Sequence, residues 1–150
     1  MRAAATQVDN QDSIGTFVPV GRGGPLHATS LGKAILAFSP AQLVDDALAE
    51  QPAILTKRTL DPAALRRELA VVRDQGIATE RDEAVLGESS AAAPIFDDAG
   101  HAVGAIGVVA ATEELFPRGL ARGIAAAVGE AARGVSRELG APRWPHAAEA

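Results

Sequence analysis

No cysteine occurs among the 150 residues, which excludes disulfides, thiolate zinc sites and a cysteine nucleophile. Tyrosine is absent too, and one tryptophan and four phenylalanines bring aromatics to only 3% of the chain. A core must therefore be built from Ala, Val, Leu and Ile, a filling that lets helices and strands approach closely. Basic charge is short: 14 Lys and Arg against 19 Asp and Glu leave a net charge of −5, the wrong sign for a surface that neutralises phosphates. By itself the chain is not expected to bind nucleic acid, and no segment offers a recognition helix with a basic amino end. The longest apolar run, Val103 to Ala111, falls well short of the about 20 residues needed to cross a bilayer core. Met1 and Arg2 are not followed by a signal h-region, so a soluble, cytoplasmic protein is expected.

At 47% hydrophobic residues the chain can bury a core of its own, and its length suits one domain. Residues 1–13, Ala-rich and then polar, read as an irregular segment. Ile14 to Val20 reads as a strand that ends in the turn Gly21 to Pro25. Thr29 or Ser30 then caps a helix with Leu31, Ile35 and Phe38 at helical spacing. Ser39-Pro40-Ala41-Gln42 has the form of a capping box opening a second helix through about Glu50. Asp61-Pro62 opens a third, whose stripe Leu65, Leu69 and Val72 stops at Gly76, a left-handed cap. Ile77 to Asp82 reads as a strand, and Ser90 to Phe96 and Ala102 to Ala110 form a hairpin about Asp97-Asp98-Ala99-Gly100. A last helix is expected from near Pro117 to Gly140, with Gly119, Gly123 and Gly134 allowing close packing, and residues 141–150 form a tail. The order strand, three helices, strands, helix gives an α+β fold with helices on the faces of a sheet.

Few motifs carry chemistry. Gly21, Gly23 and Gly24 beside Lys33 do not have phosphate-loop spacing, and Gly87-Glu88-Ser89-Ser90-Ala91 misses a nucleophile elbow at its last residue. His27, His101 and His146 are far apart, so no metal site is expected. Strand alternation sends Glu80 and Asp82 to one face and Arg81 and Glu83 to the other, a pattern that a solvated strand end explains most simply. Glu80 nevertheless sits between a firm helix stop and a hairpin, where a strand end can border a pocket.

The string from Pro25 to Ala37, PLHATSLGKAILA, resembles the signature of IclR-family effector domains. In family order there follow Thr59, Leu65 through Gly76, Glu83 with Gly87, Ala92 to Asp97, and a final helix ending at Gly140. The resemblance spans residues 14–140 and implies a GAF-like or profilin-like antiparallel sheet with helices packed on its faces. It further implies a bacterial transcription regulator's ligand sensor, without catalysis or cofactor, that self-associates to dimers or tetramers. DNA contact would come only through a winged helix-turn-helix domain absent from this chain, as are the first strand or strands of the family's sheet. By family pattern the pocket is lined by Ile14, Phe17, Gly24, Ser30, Leu31, Glu80, Ser90, Gly107 and Val109. Gly107 and Val109 replace serines common in the family, which favours a roomier, more apolar site.

The free N–H groups and dipole of the helix beginning near Ser30 point to a small carboxylic acid with an apolar body. Gly32 keeps that turn open, Ser90 and Glu80 can read a hydroxyl or amine, and Glu80 repels a second carboxylate. Two other readings stay open: a stand-alone ligand-binding or dimerisation module, and an enzyme using Glu80 and Ser90, for which no base, nucleophile and orienting group can be named together.

Overall fold

A computed structural model of the protein describes residues 2–4, 23–49 and 51–142. Strands β1 (Arg2–Ala4) and β2 (Gly23–Pro25) pair antiparallel, with Ala3 opposite Gly24. The segment 1–13 expected to be irregular thus contains a strand, and the last residues of the expected turn supply its partner. Glycine adopts extended backbone as readily as turn backbone, and proline is tolerated on an edge strand. The strand expected over Ile14 to Val20 lies outside the described residues.

Helix α1 (Ser30–Ala37) is capped by Thr29, whose Oγ1 accepts from Gly32 N at 3.1 Å and donates to Pro25 O at 2.8 Å. The capping box expected at α2 (Ala41–Ala49) does not form. Ser39 Oγ donates back to Ile35 O at 2.7 Å, and Gln42 Nε2 reaches forward to Asp46 Oδ1 at 2.8 Å. The loop is so short that an orphan carbonyl of α1 captures the serine first. In α3 (Pro62–Gln75), Asp61 Oδ1 accepts from Ala64 N at 2.7 Å, and Gly76 ends the helix at φ 75°.

Strands β3 (Ala78–Arg81), β4 (Glu88–Phe96) and β5 (Ala102–Ala111) form an antiparallel sheet in that order. At the hairpin tip Asp97 Oδ1 accepts from Ala99 N and His101 N. The terminal helix departs from expectation: α4 (Thr112–Leu115) follows β5 directly, and α5 (Ile124–Glu138) starts well beyond Pro117. Gly119 and Gly123 have φ of 91° and 83°, left-handed backbone that turns the chain before the helix and cannot continue inside one. At the far end Gly140 is left-handed, and Ala141 N bonds to Ser136 O at 2.9 Å in a Schellman closure.

The result is an α+β fold in three layers. Leu36, Val44, Leu48, Leu65, Leu69 and Val72 of α1–α3 pack with Ala78 and Ala92 on one sheet face. Val128 and Ala132 of α5 pack with Ala93 on the other. Strand β4 is therefore covered on both sides, and its run Ser89 to Ala93 is short-chained because each face must admit a helix backbone. Gly32 serves the same end: a Cβ there would lie 2.3 Å from Leu26 O, so the glycine permits close approach of the Leu26 backbone and does not simply keep a turn open.

Candidate functional site

In the sheet register Glu80 lies opposite Ser90, and Ser90 opposite Val109; two residues along, Ala92 faces Gly107. Because alternate strand residues share a face, Glu80, Ser90, Gly107 and Val109 gather on the side where α1 lies. Ser30 joins them directly: its N–H donates to Ser90 Oγ at 3.4 Å, and Ser90 Oγ donates to Glu80 Oε2 at 3.0 Å. Leu31 is half-buried beside the core, and Gly24 is placed on β2. Ile14 and Phe17 lie outside the described residues. Glu80 and Ser90 are each 5% exposed, whereas Val109 is 59% exposed, so this face runs from a buried polar end to an open apolar one. A Cβ at Gly107 would lie 2.4 Å from Ala91 O, so that position cannot carry a side chain without a shift of β4.

At the amino end of α1 most donors are engaged. Ser30 N bonds Ser90 and Gly32 N bonds Thr29, while Leu31 N–H has no acceptor among the described residues. Among the described residues one first-turn donor is thus left without an acceptor, with the helix dipole behind it.

Strand alternation fails just beyond Glu80. Asp82 has φ 58°, in the left-handed region that Asp tolerates better than most side chains. Its Oδ1 accepts from Gly87 N at 2.8 Å and Thr112 Oγ1 at 2.6 Å, bonds that hold its carboxyl below the usual range. Thr112 gives its proton to Asp82, so Ser89 must be the donor in the 2.8 Å Ser89–Thr112 contact. The reversal at Asp82 turns Glu83 inward, to 6% exposure, on the side of Glu80. The solvated strand end expected from the sequence is instead a buried acidic corner. Glu80 Oε1 accepts from Glu83 N at 2.6 Å and Ala84 N at 3.3 Å, and burial pushes its carboxyl above the usual value despite those donors. Thr56 Oγ1 and Thr59 Oγ1 clasp the corner from outside, donating to Asp82 O at 2.6 Å and Glu83 O at 2.7 Å.

Lys33 is the residue that sequence reasoning passed over. It is wholly buried, and its Nζ donates to Glu68 Oε1 at 2.8 Å and to Thr79 O at 3.1 Å. It also stands 2.5 Å from Glu83 Oε2, a charge contact outside hydrogen-bond geometry. Burial pushes the Glu83 carboxyl up to about 7, an effect that the Lys33 ammonium only partly offsets. A signal was present: Lys33 sits within the apolar string TSLGKAILAF, one turn after the cap Thr29, where a helix laid on a sheet has little solvent to offer.

Two open clefts lie nearby. One of about 400 Å³ runs between α3 and β3, lined by Arg67, Glu68, Val71, Gln75, Ile77 and Thr79, and so borders two of the partners of Lys33. Another of about 620 Å³ lies by α4, where the Arg81 guanidinium stands 5.2 Å from the Phe116 ring centroid. Neither contains a residue expected to line the pocket. Among the described residues no group of His, Asp and Glu could hold a metal ion, and no helix is long and apolar enough to cross a membrane.

Residues 4–137 match the family profile described as bacterial transcriptional regulator IclR C-terminal. The chain belongs to the IclR family. That match begins ten residues before Ile14, where the resemblance first became readable. The chain is 42% identical over 135 residues to the glycerol operon regulatory protein of Streptomyces griseus, covering 89% of this chain and 53% of that protein. The crystal structure of Thermotoga maritima IclR aligns with a TM-score of 0.78 at 28% identity, over 89% of this chain and 54% of that one. An IclR homologue from Microbacterium hydrocarbonoxydans, solved with 4-hydroxybenzoate, shares the fold with a TM-score of 0.75 at 22% identity, over 88% of this chain and 53% of that one. This IclR domain thus spans about half the length of the relatives it matches.

Proposed function

We propose that this IclR domain senses a small carboxylic acid with an apolar body, bound on the sheet face beneath the amino end of α1. The observation that carries the reading is the hydrogen-bonded line Ser30–Ser90–Glu80, in register with the exposed Val109 and beside the Leu31 N–H, which has no acceptor among the described residues. The ligand carboxylate takes the Leu31 N–H and the helix dipole, an arrangement typically worth about 0.3–1 kcal/mol when exposed and up to roughly 2 when partly buried. Leu31 and Val109 cover its apolar body; Gly24 and Gly107 border it, and Ile14 and Phe17, which the family resemblance adds to the lining, lie outside the described residues. Ser90, bonded to Ser30 N–H at the same helix end, and Glu80 meet a hydroxyl or amine close to the carboxylate. The Microbacterium homologue's 4-hydroxybenzoate, a monoacid with an apolar ring, supports the ligand class.

The reading gives the domain no catalysis of its own: the Ser90 hydroxyl proton is committed to Glu80, and among the described residues no histidine joins the pair. It acts in the cytoplasm as a dimer or tetramer and reaches DNA through a winged-helix domain that is not among these 150 residues. Calorimetry against a panel of monoacids, diacids, amines and neutral sugars tests the assignment. Monoacids should bind best, and Leu31→Asp should weaken them far more than the exposed change Glu130→Ala. Tight binding of an amine or sugar that survives Leu31→Asp sinks the reading.

A further inference from the structure

The buried corner beside this site carries a charge imbalance. One ammonium, Lys33 on α1, faces Glu68 from α3, Glu83 from the loop after β3 and, more remotely, Glu80 from β3 itself. Asp82 is turned away toward Gly87 N and Thr112 Oγ1, and the charges of Arg58 and Arg81 bear on Asp82. With all three glutamates ionised, two negative charges would stay uncompensated where water is scarce. Both the loss of hydration and the mutual repulsion favour a retained proton.

Of these carboxylates, that of Glu80 is wired to the amino end of α1, and Glu83 adjoins it through its backbone N–H. Ser30 N–H donates to Ser90 Oγ, Ser90 Oγ to Glu80 Oε2, and Glu83 N to Glu80 Oε1, while the Glu83 side chain meets Lys33. An anion placed at Leu31 N–H adds a further negative charge to this line. It raises the proton affinity of Glu80 and Glu83, and by linkage a proton on either strengthens the anion's binding equally. We infer that a carboxylate effector binds together with one proton, taken from solvent by the Glu80–Glu83 pair beside Lys33. This rests on the effector site proposed above and adds to it a pH-dependent set point.

The test is calorimetry with 4-hydroxybenzoate between pH 6 and 8, run at each pH in two buffers of different ionisation enthalpy. Affinity should fall as pH rises, approaching tenfold per pH unit at the alkaline end, and the buffer-dependent heat should report proton uptake. Glu83→Gln, which keeps the side chain's size and removes its titration, should flatten the profile and most of the buffer dependence. Glu68→Gln, at the more exposed rim, should keep the slope but move its midpoint to lower pH. A wild-type affinity unchanged across this range, or an undiminished slope in Glu83→Gln, overturns the linkage alone. Failure of 4-hydroxybenzoate and other monoacids to bind at any pH overturns the site reading and the linkage with it.

Discussion

Replacing Lys33 by methionine removes the ammonium and keeps most of the side-chain volume. The change deletes the 2.8 Å pairing with Glu68, the bond to Thr79 O at 3.1 Å and the 2.5 Å contact with Glu83. Glu68 is 29% exposed along its side chain and can turn to water; Glu83, at 8%, cannot. Removing one partner of a buried pair typically costs about 3–5 kcal/mol, a large share of the roughly 5–15 kcal/mol that holds a domain of this size. The urea midpoint should therefore drop by roughly 2 M, taking a slope of about 1–3 kcal/mol per M. Adding Glu83→Gln should restore most of the loss, because the double variant removes the buried carboxyl that Lys33 contacted and leaves Glu80 its three hydrogen-bond donors. The single variant's deficit should also shrink at pH 5, where Glu83 is neutral in either protein. A loss below about 1 kcal/mol at pH 8, or a double variant whose losses simply add, would refute this account of the corner.

Wild-type stability should fall as pH rises from 6 to 8. The Glu83 carboxyl, about 7 in the folded chain against 4.5 when unfolded, contributes stability that is complete below the unfolded value and lost as pH passes through about 7. Denaturant titrations at several pH values should show that slope, and Glu83→Gln should remove most of it. Gly32→Ala should lower the thermal midpoint sharply, since its Cβ meets Leu26 backbone at 2.3–2.6 Å and overpacking costs about 1–3 kcal/mol; a midpoint within one degree of wild type contradicts the close approach. Asp61→Ala should cost about 0.5–2 kcal/mol by exposing Ala64 N–H, read by the same melt, whereas Ser39→Ala should leave α2 intact because Ser39 caps nothing there. Arg73→Ala is no neutral control in such a series, because Arg73 Nε bonds Ala37 O at 2.8 Å.

The helices were legible where one side chain decides a boundary and no neighbour competes. Thr29, Asp61 and Gly76 stand alone at their helix ends and act as their chemistry dictates. Ser39 has the right identity, but the end of α1 lies within reach and captures its hydroxyl. Gly119 and Gly123 look like helix-packing residues in the sequence, and only their positive φ shows them to be turns. The candidate site was half legible. Strand register brings Glu80, Ser90, Gly107 and Val109 to one face, which alternation in the sequence allows, yet Glu83 reaches that side through a single left-handed residue. A backbone reversal at Asp82 leaves no periodic signature, since Asp is as common in an ordinary solvated turn.

The shortage of aromatic side chains and the buried charges have a common origin in the packing. With only small residues over Ser89 to Ala93 of β4 between two helical layers, α1 must come close to the sheet, and Gly32 allows it by meeting the Leu26 backbone without a Cβ. Once α1 is that close, a long side chain at position 33 has no path to solvent on the sheet side. It must end on an acceptor there, and Glu68, Thr79 O and Glu83 supply three. An apolar residue of similar length would fill the volume at no electrostatic cost, and such replacements of buried ion pairs are often neutral or stabilising. Stability alone therefore does not account for Lys33 and its carboxylates. What the charged version adds is a titratable group near neutral pH, the Glu83 carboxyl, whose backbone N–H bonds the Glu80 carboxylate that Ser90 links to Ser30 N–H, one residue before the Leu31 N–H proposed to take the effector carboxylate.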